Sequence, residues 1–159
     1  MKKNNTTEWN KAIELLSNVA EYEASSIEYE VADTTTNSWE EFKEKCKKDG
    51  YITVSKDECD NSIYDSPIVN RMARVWHDKL HLNHNLSFSL EDEIKVAKYQ
   101  QLDIDNYRMM HFSEYSQSVV DLAKKIIYID VAEQLKYYYE NNEYVENQKA
   151  FVLNIIYNK

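Results

Sequence analysis

Three of the four histidines fall in one short segment, Asn70-Arg-Met-Ala-Arg-Val-Trp-His-Asp-Lys-Leu-His-Leu-Asn-His84. His77, His81 and His84 stand at i, i+4 and i+7, which on a helix puts them on one face beside an apolar stripe of Met72, Trp76 and Leu80. Two imidazoles four residues apart can hold one metal ion, and a divalent metal such as zinc, manganese or iron accepts imidazole nitrogen together with carboxylate oxygen. A site begun by His77 and His81 therefore needs carboxylates from neighbouring helices. Glu93 and Asp130 or Glu133 are the candidates. Glu93 has two roles open to it, as a metal ligand or as the acceptor of a proton from a metal-activated water, and the second would make the protein a metal-dependent hydrolase. His84 ranks behind the carboxylates because it falls near the end of its helix, where a cation is favoured in any case. The competing reading leaves the histidines at the surface or at helix ends, with Glu93 and Asp130 solvated or paired with Lys95 and Lys136.

Other chemistry has less to stand on. Cys46 and Cys59 have no histidine near them in sequence, and a single glycine leaves no Gly-rich phosphate loop. Tyr137-Tyr-Tyr139 spans three helix directions, so part of it faces the core and part the surface. Arg71 and Arg74 flank the histidine face, where they meet either an anion or some of the many acids.

The elements that must position these residues are helices. Trp9, Ala12, Ile13, Leu15, Leu16, Val19 and Ala20 recur at helical spacing and predict a helix over about 7–23, with Thr6 or Thr7 at its N-cap. Ser38-Trp-Glu-Glu41 reads as a capping box for a helix to Lys48, and Gly50 stops it. Tyr51-Ile-Thr-Val54 suits one short strand for which the sequence offers no evident partner. Residues 55–66 read as a polar loop, and Pro67 then opens a helix to about His84. Ser89-Leu-Glu-Asp92 opens the next, to about Gln101. A long pattern follows from about Asp105 through Met109, Phe112, Val119, Leu122, Ile126, Ile129 and Ala132 to about Glu140, with a break allowed near Ser113–Gln117. Asn141-Asn142 ends it, and a last helix covers Glu146 to Tyr157. The fold class is mainly α: a single-domain bundle of about five to six helices over residues 1–159, with at most one short strand or hairpin. Residues 1–60 form N-terminal helices and loop, and residues 64–157 form the core that carries the histidines.

Composition agrees. One Gly and one Pro in 159 residues do not suit a turn-rich β fold, and two cysteines make no disulfide framework, which points to a reducing compartment. No stretch approaches the roughly 20 apolar residues that span a bilayer, so no membrane partner is expected. The net charge of −9 opposes direct binding to nucleic acid. Glu8, Glu14, Glu21, Glu23, Glu28, Glu30 and Asp33 face a single lysine, Lys11, over that stretch, which suits either a solvated surface or a basic host protein as partner. The latter would be a non-catalytic inhibitor of a basic or nucleic-acid-binding protein. A virion or assembly component is the third class, and no heptad or repeat marks it.

Two resemblances bear on function. Tyr64-Asp-Ser-Pro-Ile-Val-Asn-Arg-Met-Ala-Arg-Val-Trp-His-Asp78, Phe88-Ser-Leu-Glu-Asp-Glu-Ile-Lys-Val-Ala97, Glu133-Gln-Leu-Lys-Tyr-Tyr-Tyr139 and Asn147-Gln-Lys-Ala-Phe-Val152 resemble uncharacterised small bacteriophage proteins. That resemblance covers about residues 64–152 and implies phage origin, and with it the cytoplasm of an infected bacterial host. His77-Asp78 also resembles the central dyad of HD-type phosphohydrolases, in which a His, a His-Asp pair and a later Asp hold a divalent metal. The chain departs from that pattern in having no histidine before His77, although Asp121 or Asp130 can stand for the last ligand. The paired Glu-x-x-His motifs of ferritin-like di-iron bundles are absent, and only Asp78-Lys-Leu-His81 comes near them.

Overall fold

The computed structural model describes residues 2–56, 61–111 and 114–158. Cys59, Phe112 and Ser113, which entered the reading of the sequence, lie outside them. The fold is mainly helical with one small sheet. Helix α1 covers Lys2–Ala24, β1 Tyr29–Ala32, α2 Trp39–Asp49 and β2 Ile52–Ser55. Helix α3 follows over Pro67–His84 and α4 over Leu90–Met110. Helix α5, Gln117–Tyr128, runs through a π-helical turn at Ile129–Glu133 into α6, Gln134–Asn141, and α7 covers Gln148–Tyr157.

Helices begin where a short polar side chain takes up a free backbone N–H of the first turn. Ser38, Ser66, Ser89 and Ser116 do this for α2, α3, α4 and α5, and Asn147 does it for α7. Three helices end on a left-handed residue that turns the chain away: Gly50 at φ 79, Asn85 at φ 49 and Asn142 at φ 56.

The largest differences from the boundaries that the sequence suggests are in α1 and α4. Helix α1 starts at Lys2, ahead of Thr6 and Thr7, because nothing in its first turn breaks a helix. Helix α4 runs on past Gln101 to Met110, so Asp105 and Met109 belong to it and not to the following helix. Ile104 is fully buried and keeps the α4 pattern going, whereas Met109 is 72% exposed and belongs to no buried stripe. The next helix starts only where Ser116 supplies a cap.

The strand over Ile52–Ser55 has its partner in β1, and the two are parallel, in register from Tyr29↔Ile52 to Ala32↔Ser55. Parallel strands need a crossover, and α2 provides it. The partner is hard to read because Glu30 and Val31 are exposed, which leaves β1 without an apolar face.

The main core gathers Trp9, Leu15, Leu16 and Val19 of α1, Trp76 and Leu80 of α3, Val96 and Ile104 of α4, and Val120, Ile126 and Ile127 of α5. A second cluster, with Phe42, Ile52, Val54 and Val75, fixes the sheet and α2 against the other side of α3. Helix α3 is therefore clamped on two faces, and its histidine stripe lies between them.

Candidate metal centre

The i, i+4 spacing on α3 brings the His77 and His81 rings to 4.7 Å between centroids, with their Nε2 atoms 3.0 Å apart. Glu93, in the first turn of α4, closes the group. Its Oε2 lies 3.1 Å from His77 Nε2 and its Oε1 3.3 Å from His81 Nε2. Two donors held by one metal at about 2.0–2.1 Å lie about 2.9 Å apart at a right angle and about 3.3 Å apart at the tetrahedral angle. The separation between the rings and that from each ring to its nearer Glu93 oxygen fall on that scale, and the three residues converge as a candidate ligand set.

His81 is fully buried and its orientation is fixed by the end of its own helix. Asn85 turns left-handed, Leu86 folds back, and the Leu86 N–H donates to the His81 carbonyl at 2.9 Å. The Leu86 carbonyl lies 3.0 Å from His81 Nδ1. A carbonyl can only accept, so Nδ1 carries a proton, and Nε2 is the ring atom turned to His77 and Glu93.

Burial pulls the His77 pKa down, but the hydrogen bond and charge of Glu93 outweigh it and raise the ring to about 9. Burial pushes Glu93 up, and its bonds to His77 and His81 overcome this and bring it down to about 2. The proton thus sits among the same three donors that would converge on a cation. Gln100 stands beside His77 and also favours the charged ring. The Gln100 Oε1 is buried and makes no hydrogen bond of its own. Metal-ligating histidines usually have such a second polar partner to orient them, and Gln100 is the buried polar side chain beside His77.

His77 and Glu93 line a cavity of about 440 Å³ that α3, α4, the π-turn and the sheet enclose. Asn70, Arg74, His77 and Asp78 face it from one stripe of α3. Asp130 faces it from the π-turn, close enough to His77 to feel its charge, with Gln134 Nε2 donating to its Oδ1 at 2.6 Å. Burial raises Asp130 to about 7 and Asp78 to about 6, the latter against the pull of His77 and His81. The one-residue excess of a π-turn, a feature frequent at functional sites, aims Asp130 and Gln134 at the cavity while Ile129 and Ala132 stay buried.

The remaining residues singled out in the sequence lie elsewhere. His84 stacks on Tyr99 at 3.6 Å and is outside the cluster. Asp121 is exposed and accepts from Gln117 at 2.8 Å. Along α1, Glu8 accepts from Ser118, Glu14 from Tyr115, and Glu23 pairs with Lys79, so part of the acidic stretch serves internal bonds. Cys46 is a half-buried free thiol. No helix among the described residues is long and apolar enough to cross a membrane. The Leu86 carbonyl, the π-turn and Tyr64 on the cavity wall went unread in the sequence. Asn85 after a histidine-rich helix end was the one legible sign of the first. Comparison with family models, with curated proteins and with solved structures finds no match to this chain.

Proposed function

We propose that the protein binds one divalent metal ion, zinc, manganese or iron(II), through His77, His81 and Glu93, and uses it for hydrolysis. The observation that carries this reading is the convergence of the two Nε2 atoms, 3.0 Å apart, with a Glu93 carboxylate whose Oε2 lies 3.1 Å from His77 and whose Oε1 lies 3.3 Å from His81, beside a cavity that His77 and Glu93 line. Three protein ligands leave a coordination position for water, whose pKa a bound metal lowers to near 7. Glu93 acts here as a ligand, since its two oxygens are engaged with both rings. Asp130, on the same cavity, is the acceptor for the water's proton. When bound, the metal would supply a Lewis acid and an activated water for hydrolysis, and Asp130 would hold that water's proton and pass it to the leaving oxygen. The phage-protein resemblance suggests an infected bacterium as the setting.

Elemental analysis of protein purified without chelators tests the reading. About one metal per chain in wild type, lost in Glu93→Ala, is the expected result. Wild type that is metal-free and takes up no zinc, manganese or iron(II) would refute it.

A further inference from the structure

The metal cavity has a second chemical character on its outer side. Leu135 of α6 and Val145 and Tyr144 of the α6–α7 turn line it together with the polar residues of α3 and α4. Tyr144 is 74% exposed, so it stands at the mouth, whereas His81 is fully buried and the Glu93 side chain is 13% exposed. One face of the Tyr144 ring is backed by Tyr138, whose centroid is 4.3 Å away with 20° between the planes. The exposure of Tyr144 shows that the rest of the ring is open.

The turn that carries this ring is pinned. The Asn142 N–H donates to the Tyr138 carbonyl at 2.7 Å, Asn141 Nδ2 to the Tyr137 carbonyl at 2.9 Å, and Tyr137 Oη to Glu143 Oε1 at 3.0 Å. Asn147 then caps α7, and the Lys149 N–H ties that helix to the Asn61 carbonyl at 2.9 Å. A ring left mostly in water gains little from burial in the free protein. Holding it rigid at the mouth of a cavity lowers the ordering cost of stacking a ligand on it.

We infer that Tyr144, backed by Tyr138, is a stacking platform for a planar unsaturated ring, and that the ligand of the metal cavity carries such a ring together with an oxyanion that reaches the metal. This rests on the metal reading above and specifies the class of molecule the site takes. Ring stacking on an aromatic side chain changes affinity by about tenfold or more, judged by alanine substitution.

The test uses full-length protein loaded with one equivalent of zinc and freed of excess, titrated calorimetrically with phenylphosphonate and with methylphosphonate. Wild type should bind the phenyl compound about tenfold more tightly or better. Tyr144→Ala should erase the difference while zinc content and methylphosphonate affinity stay unchanged, and Tyr144→Phe should keep it. Equal affinities in wild type, a preference that survives Tyr144→Ala, or binding of neither compound to zinc-loaded protein would overturn the platform alone. Failure of wild type to take up zinc would overturn the metal reading and the platform with it.

Discussion

His81 and Leu86 are tied twice, once by the Leu86 N–H to the His81 carbonyl at 2.9 Å and once by His81 Nδ1 to the Leu86 carbonyl at 3.0 Å. The helix end and the histidine orientation are therefore one structure, made available by the left-handed Asn85 between them.

Asn85 at φ 49 suits asparagine or glycine, and a β-branched side chain there is strained. Asn85→Val should cost about 1–2 kcal/mol in denaturant unfolding and weaken zinc binding by about tenfold. Asn85→Gly should leave both near wild type. Wild-type zinc affinity in folded Asn85→Val would mean that the Leu86 carbonyl does not orient the ring.

Metal content of the histidine variants separates ligand from bystander. His77→Ala and His81→Ala should each lose the metal, and His84→Ala, which removes only a ring stacked on Tyr99 at 3.6 Å, should keep it. Circular dichroism checks that each variant is folded. Loss of metal in folded His84→Ala at full occupancy of the other two would move the site away from Glu93.

The stability of the metal-free form and the increment that zinc adds to it should run in opposite directions with pH. His77 at about 9 lies above its ordinary 6.5, so its contribution is complete below about 6.5 and is lost as pH rises through about 9. Glu93 at about 2 contributes above its ordinary 4.5 and is lost only as pH falls through about 2. Asp78 and Asp130, raised by burial to about 6 and about 7, favour the fold while protonated and cost stability as pH climbs from 3.8 through those values. The metal-free Tm should therefore fall between about pH 5 and about pH 9. Zinc competes with the His77 proton, so the rise in Tm that zinc produces should grow over the same interval. A zinc effect that shrinks as pH rises would remove His77 from the site.

Trp76 anchors the histidine helix to the core from the opposite side. It is fully buried, and its Nε1–H donates to Asp103 Oδ2 at 2.8 Å. Trp76→Ala should cost about 3–5 kcal/mol in denaturant unfolding. Trp76→Phe keeps much of the volume but leaves the Asp103 carboxylate without this donor, and should cost about 1–3 kcal/mol. A loss below about 1 kcal/mol for the alanine variant would show that the ring is not part of the packed core.

The candidate ligands on α3 and the start of the helix that follows were legible because they depend on local spacing. His77 and His81 needed only a helix, and Pro67 and Ser89 marked where that helix and the one carrying Glu93 begin. The pairing of β1 with β2 was not legible, because a half-exposed strand has no periodicity and its partner is reached only across α2. The length of α4 was misjudged where two apolar patterns met without a breaker at Leu102–Asp105. Asp130 was named from its side of the helix, yet what turns it to the cavity is a backbone irregularity that no residue type announces.

That irregularity sets two demands on the chain against each other. An α-helix turns about 100° per residue, so the residue in excess at Ile129–Glu133 rotates everything after it by about a quarter of a revolution relative to α5. Removing one residue there would restore an unbroken helical ladder and relieve the local backbone cost. The same change would swing Gln134, Leu135 and the turn bearing Tyr144 off the cavity. A regular helix would be the more comfortable sequence at this point, and the chain gives up that comfort to keep the two ends of one cavity in phase.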